Sequence, residues 1–124
     1  MTAPAPSHFA FLGRVWPASL RDCVQADRTA RADPKVSCFL SRHVLERLVH
    51  HLWEFRGLGA REGLSLFDLL QDPGFTQLIP GPQRAKMHVI RKVGNNAVHG
   101  EQVIQPQTAV HLLMHLFDVL NYAT

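Results

Sequence analysis

The longest helical pattern in the chain lies between Asp33 and Gly57. Asp33 and Pro34 form a helix start signal, because an N-cap aspartate accepts backbone hydrogen bonds and proline fits the first helical position. Apolar residues then recur every three or four positions, and Gly57 is typical of the position that ends a helix. The apolar side consists of Leu40, Val44, Leu45, Leu48, Val49, Leu52 and Phe55. A helix with this pattern must bury that side against other elements.

Three further segments show the same period, and no useful length of the chain alternates as a β-strand does. The first follows Pro17 to about position 32, the next runs from Pro82 to about position 98, and the last follows Pro106 to about position 122. A capping box at Ser65 and Asp68 precedes the short segment LFDLLQ, and residues 75–79 form another apolar turn. We therefore predict an all-α fold, a bundle of four main helices with a short helical insertion.

A chain of 124 residues is long enough for one domain with a modest core. We predict a flexible Pro/Ala leader at residues 1–8 and a single helical domain at residues 9–124. The start of the chain lacks the features of a signal peptide, and no apolar run approaches membrane-spanning length. Cys23 and Cys38 have no CxxC partner, so we expect reduced, buried thiols in a soluble cytoplasmic protein without a membrane segment.

Charged residues make up 19% of the chain, which is low for a surface that is fully exposed to water. Phe39 and Trp53 lie outside the apolar arc of the second helix, among Arg42, Glu46 and His50. This placement predicts a second buried surface, an interface at which the chain forms a homodimer or docks onto other domains of a larger protein. The net charge of +3 permits contact with nucleic acid, either RNA or DNA.

The segment MHVIRKVGNNAVHGE, residues 87–101, belongs to a helical pattern whose polar residues repeat at spacings of three and four. These residues are Arg84, His88, Arg91, Asn95 and His99, with Lys92 and Asn96 beside them. Gly94 lowers helix stability by roughly 1 kcal/mol relative to alanine, so it indicates a helix end or a close backbone approach. Residues 95–99 fit either the end of a helix or part of a binding site.

Other candidate sites have weaker patterns. His111, His115 and Asp118 have a spacing that can ligate a metal from one helix face, but neither a cysteine nor an HExxH glutamate accompanies them. A solvated histidine face is the interpretation we adopt. The segment GLGAREGLS lacks the lysine of a phosphate-binding loop, and no serine lies in a Gly-x-Ser-x-Gly turn. We therefore predict no metal and no cofactor.

Four segments resemble an uncharacterised bacterial helical family: SCFLSRHVLERLVHHLWEFRG, FDLLQDPGFTQL, IRKVGNNAVHG and QPQTAVHLLMHLFDVLNY. The resemblance extends from about Phe9 to Tyr122, and its most specific element is Arg-Lys-x-Gly-Asn-x-Ala-Val-His. That family is commonly the N-terminal module of type I restriction endonuclease R subunits and related helicases. The resemblance implies an accessory domain of a restriction-modification or related defence system, which binds nucleic acid, a nucleotide or a protein domain without catalysis of its own.

This family is in turn similar to the HEPN superfamily of helical bundles, which often dimerise. Its active ribonucleases carry an arginine and a histidine separated by four to six residues, frequently as Arg-Asn-x-x-x-His, and cleave RNA without a metal. Asn95 and His99 match Asn-x-x-x-His, but Gly94 occupies the arginine position and the nearest arginine is Arg91. The resemblance thus implies a second hypothesis, a metal-independent endoribonuclease in which His99 moves a proton while Arg91 and Asn95 support it. A third hypothesis is a purely structural dimerisation module, in which these residues only tie the helix end to a neighbour.

Overall fold

The computed structural model describes residues 17–100 and 102–123, and all regular secondary structure in these ranges is helical. The helices are α1 (Pro17–Thr29), α2 (Pro34–Phe55), α3 (Leu66–Gln71), α4 (Pro73–Leu78), α5 (Gly81–His99) and α6 (Pro106–Ala123). The prediction of an all-α fold with four long helices and a short helical insertion is confirmed. The predicted leader and the beginning of the predicted domain at residue 9 lie outside the described residues.

Helix α2 begins and ends at the residues that the sequence indicates. The Asp33 side chain accepts a hydrogen bond from the Val36 backbone N–H at 3.4 Å, and Pro34 is the first helical residue. After the helix, Gly57 adopts a φ of 62°, a left-handed conformation that favours glycine. These local interactions fix the position of a helix that packs against α1, α5 and α6.

The core forms where these four long helices meet. Its fully buried members on the long helices include Val44, Leu45, Val49, Met87, Ile90, Leu112, Leu116 and Leu120. Ser37 connects α2 to α1, since its hydroxyl donates a hydrogen bond to the Ala26 carbonyl at 2.7 Å. Phe55 is an exception to the predicted apolar side of α2: it is 74% exposed, because it lies in the last turn, where α2 leaves the bundle. No helix within the described ranges has an apolar stretch that is long enough to cross a lipid bilayer.

Two side-chain capping arrangements, each of which includes one aspartate, stabilise the short helices between α2 and α5. Ser65 and Asp68 form the predicted capping box, in which each side chain accepts a hydrogen bond from the other residue's backbone N–H, at 3.1 and 3.0 Å. Asp72 ends α3 and caps α4, where its carboxylate accepts from the backbone N–H groups of Gly74 and Phe75. Short helices need such support because their own turns are marginally stable.

The position of Trp53 corrects its predicted role at an interface. Trp53 is only 2% exposed, since α4 covers it and the Phe75 ring lies with its centroid 6.3 Å from the Trp53 ring. Its indole Nε1–H donates to the Gly59 carbonyl at 2.9 Å, which satisfies the buried donor. The second buried surface of α2 is therefore covered by the chain itself at this point. Phe39, by contrast, remains 43% exposed and stacks on the His43 ring.

Candidate functional site

Gly94 lies where α5 crosses α2 at close range. A Cβ atom built at Gly94 would be 2.4 Å from the Cβ of Arg42, well inside the distance at which carbon atoms touch. Helix α5 nevertheless continues through this position to His99 and ends at Gly100. Of the two explanations for Gly94, the structure confirms the close approach, and residues 95–99 form the last turns of α5.

Two residues of the predicted polar stripe, His88 and Arg91, contact an aromatic ring that the sequence pattern did not single out. The guanidinium carbon of Arg91 lies over the Phe67 ring, 4.8 Å from its centroid. The His88 ring meets the same phenyl ring edge to face, with centroids 6.3 Å apart and an interplanar angle of 65°. We call Phe67, His88 and Arg91 the Phe67 cluster. It joins α3 to α5 at the protein surface.

The packing of α3 explains why Phe67 is available to these two side chains. Leu66, Leu69 and Leu70 are all buried, with at most 5% of their surface exposed. Phe67 therefore lies off the core side of this six-residue helix and is 41% exposed. An aromatic residue on the polar side of a short amphipathic helix is a signal that sequence reasoning could have used. Its contact with Arg91, 24 positions away in the sequence, is a property of the fold alone.

A second arginine lies beside the Phe67 cluster. Arg42 Nη1 pairs with Glu46 Oε2 at 3.1 Å, whereas Arg91 makes no ion pair with any residue described in the structure. Burial and the Arg42 cation both lower the pKa of Arg91. The Nε atoms of both arginines are buried and make no hydrogen bond within the described parts of the chain. Two adjacent cations, of which only Arg42 has a carboxylate partner among the described residues, form a place where an anion would be stabilised.

Three more residues of the predicted binding set, Arg84, His88 and Lys92, lie near Arg91. His88 has a lowered pKa, first because it is partly buried and then because of the cations Arg91, Lys92 and Arg84. Its imidazole is therefore neutral at pH 7, so it can accept a hydrogen bond through one ring nitrogen. Arg84 Nε donates to the Ile79 carbonyl at 3.1 Å, which anchors this side chain at the start of α5, and Lys92 is exposed.

The structure divides the predicted stripe in two. Arg91 and His99 are eight positions apart on one helix, which separates their Cα atoms by about 12 Å along the axis. The Arg91 guanidinium leans onto Phe67, the ring that also contacts His88, and so it points toward the beginning of α5. Asn95 is half-buried, while Asn96 and His99 are exposed. The proposed catalytic partners Arg91 and His99 are therefore not brought together within one chain.

A comparison with known protein families matches most of the chain to one family. Residues 24–124 match the family described as a domain of unknown function (DUF4145). The chain belongs to this family. The matched region contains Arg42, the Phe67 cluster and all of α5, so the candidate site is part of the DUF4145 domain itself. Searches of curated proteins and of solved structures give no match.

The other sites considered from the sequence of this DUF4145 domain are less organised. Asp118 Oδ2 pairs with Lys86 Nζ at 3.2 Å, and the described residues contain no group of three His, Cys, Asp or Glu side chains that could hold a metal. Cys23 and Cys38 are free, buried thiols, as predicted. Burial is the main cause that raises the pKa of Cys23 to about 12 and that of Cys38 to about 11, which favours the protonated thiol at both positions.

A surface cavity of about 520 Å³ lies between α1 and α6, away from the Phe67 cluster. Its lining is mainly apolar and includes Val110, Leu113, Met114 and Phe117. Charged residues of both signs lie at its border: the acidic Asp27 and Asp118 and the basic Arg28 and Arg31. Because this mixed border selects no particular ligand charge, the Phe67 cluster remains the stronger candidate site.

Proposed function

We propose that this DUF4145 domain binds phosphate groups of a nucleic acid or nucleotide, and that Arg91 is the centre of the site. The observation that carries this proposal is the position of Arg91, partly buried beside Arg42 and without a carboxylate partner among the described residues. Among the described residues, no anion replaces the hydration that a guanidinium loses in this position. A phosphate would replace it, because its oxygens match the donors of an arginine fork.

The neighbouring residues fit a phosphate better than a carboxylate-bearing protein segment. Arg42 supplies a second guanidinium, Lys92 a mobile ammonium group, and neutral His88 can change its protonation state when an anion arrives. Several cations around one point allow binding to neighbouring phosphates of a chain, with release of the counterions that surround nucleic acids. Asn95, Asn96 and His99 extend this polar surface along α5.

The biological setting that we propose rests on the resemblance described above. The domain would act as a cytoplasmic accessory module of a restriction-modification or related defence system, similar to the N-terminal module of a type I restriction endonuclease R subunit. In a HEPN-like arrangement it would dimerise or dock onto further domains, and exposed Phe39 on α2 is a residue available for such contacts.

Catalysis by the domain itself is not part of the proposal. HEPN ribonucleases have an arginine at the position that Gly94 occupies here. A Cβ atom at Gly94 would lie too close to Arg42, so this position has no room for an arginine side chain. Arg91 is directed toward Phe67 and away from His99. Both features favour a site that holds an anion over a site that stabilises a transition state beside a histidine base.

The direct test is binding of fluorescein-labelled oligonucleotides, measured by anisotropy at low salt and along a salt series. Arg91→Ala should weaken binding about tenfold or more, the effect expected for a charge-assisted hydrogen bond. Arg21→Ala is the matched control, because it removes the same charge from an exposed position on α1 and should change affinity less than twofold. Arg91→Lys, which keeps the charge but loses the fork, should lie between the two.

Two outcomes would contradict the proposal. Absence of binding to RNA, DNA and nucleotides at low salt would remove it, and equal effects of Arg91→Ala and Arg21→Ala would show that only overall charge matters. Circular dichroism and melting of each variant separate loss of binding from loss of folding. Incubation of concentrated protein with RNA in EDTA addresses the enzymatic alternative: cleavage that disappears in His99→Ala would establish an endoribonuclease instead.

A further inference from the structure

Phe67 is an exposed aromatic ring on a helix that the core holds in a fixed position. Three buried leucines anchor α3, the Ser65 capping box fixes its beginning and Asp72 caps its end. The Phe67 residue is 41% exposed. A rigid aromatic side chain loses little conformational entropy when a ligand binds to it, so its position is suited to recognition.

The two sides of the Phe67 ring differ. Arg91 occupies one face, and His88 makes a T-shaped contact with the same ring. Arg91 and His88 both approach the ring from α5, and 41% of Phe67 remains exposed, so we take the face opposite Arg91 as the open one. A guanidinium stacked behind a phenyl ring orients both groups before any ligand arrives. The result is a flat apolar face directly beside the cations of the phosphate site.

We propose that this open face of Phe67 is a platform on which an unpaired nucleobase stacks, so that the ligand of the domain is single-stranded nucleic acid. This inference rests on the proposed function, because Arg91, Arg42 and Lys92 would bind the phosphates that flank the stacked base. Proteins that bind single strands combine cations along the backbone path with aromatic rings for the bases. The Phe67 cluster brings both kinds of group together within two turns of α5.

A double-stranded ligand fits this arrangement less well. Bases in a duplex stack on one another and expose only their edges in the grooves, so a phenyl ring cannot reach a base face unless the base is extruded. An unpaired base in a loop or a single strand exposes its face at no such cost. The ring offers stacking but no hydrogen-bond donor or acceptor, so we expect weak selectivity among the four bases.

The charges around Phe67 also distinguish this ligand from an apolar protein partner. Arg42, Arg84, Arg91 and Lys92 lie on or beside the cluster, and charged residues are depleted at the centres of protein interfaces. The nearest carboxylate on α3, that of Asp68, accepts the backbone hydrogen bond of the capping box. Cations with a single exposed ring complement a polyanion that carries flat aromatic groups.

The experiment compares three ligands of equal length: a labelled single-stranded oligonucleotide, the same sugar-phosphate chain without bases, and the duplex. Wild-type protein should bind the base-containing single strand about tenfold more tightly than the abasic strand, the order expected for one stacked base. Phe67→Ala should remove this preference and leave the salt dependence unchanged, because the ring carries no charge. Phe67→Trp should retain it, whereas Phe67→Leu, which keeps apolar area but not the ring, should not.

Phe55→Ala is the matched control. Phe55 is 74% exposed and also has an arginine near its ring, with Arg56 Cζ 5.9 Å from the centroid, but it lies outside the cluster. It should leave the preference unchanged. Equal binding of the base-containing and abasic strands would overturn the stacking inference and leave the phosphate site standing, while no binding of any strand would overturn both. If Phe67→Ala alters only self-association by sedimentation, Phe67 belongs to a protein interface and the inference is wrong.

Discussion

Because α2 and α5 cross closely at Gly94, we predict that Gly94→Ala lowers the stability of the protein, which is the opposite of the usual effect of this substitution in a helix. On an open helix surface, replacing glycine by alanine stabilises the helix by about 1 kcal/mol. At Gly94 the new Cβ would lie 2.4 Å from Arg42 Cβ and 2.9 Å from its Cδ, although ordinary contact begins near 3.4 Å. A Cβ atom is fixed to the backbone and cannot rotate away. The two helices must therefore separate by about 1 Å.

The cost of that separation exceeds the gain in helix propensity. Forcing one extra carbon into a packed contact costs about 1–3 kcal/mol, and this contact belongs to the upper part of the range because both atoms are close to their backbones. After subtraction of about 1 kcal/mol of propensity, Gly94→Ala should lower the free energy of unfolding by about 2 kcal/mol. For a domain of this size, the melting temperature should fall by roughly 5–8 °C.

Urea unfolding and calorimetry can measure this change against two references. Gly81→Ala changes the same residue type in the same helix, but its nearest new contact is an Arg84 nitrogen at 3.8 Å, so stability should stay constant or rise slightly. Arg42→Gly removes the opposing Cβ, and in that background Gly94→Ala should stabilise the protein. A higher melting temperature for the single variant Gly94→Ala would refute the close crossing.

Three further predictions concern other parts of the chain. Ser65→Ala should lower stability by about 1 kcal/mol in urea unfolding, because it removes the side-chain acceptor of the α3 capping box; an unchanged midpoint would show that α3 does not depend on its cap. Cys23 and Cys38 should not react with iodoacetamide at pH 8 until guanidinium unfolds the protein, since burial raises the pKa of their thiols to about 12 and about 11; rapid native labelling would contradict this burial. Burial is the first cause that lowers the pKa values of His50 and His88 in the folded state. In the unfolded chain these imidazoles have their ordinary pKa of 6.5, so below pH 6.5 they bind more protons there than in the folded protein. Stability should therefore fall as the pH drops through 6.5 toward the folded pKa values, and His88→Gln should reduce this dependence; a flat profile from pH 7 to 5 would contradict it.

Only part of the site could be predicted from the sequence. The order of polar residues along α5 follows from the helical period, and the sequence correctly indicated that Gly94 requires an explanation. The meeting of Arg91 with Phe67 could not be predicted, because these residues belong to different helices and their approach depends on how α3 packs. The same holds for Arg42, because its position next to Arg91 depends on the crossing of α2 and α5 at Gly94.

The sequence by itself determined the helices and their ends. Asp33 before Pro34 and the capping box at Ser65 act through hydrogen bonds that span three residues, so they depend on no distant part of the chain. Only the tertiary structure decided which helix faces meet, and it placed Trp53 beneath α4 rather than at an outer interface. The physical reason is that a helical pattern shows which side of a helix is apolar, while packing between distant segments decides what covers it.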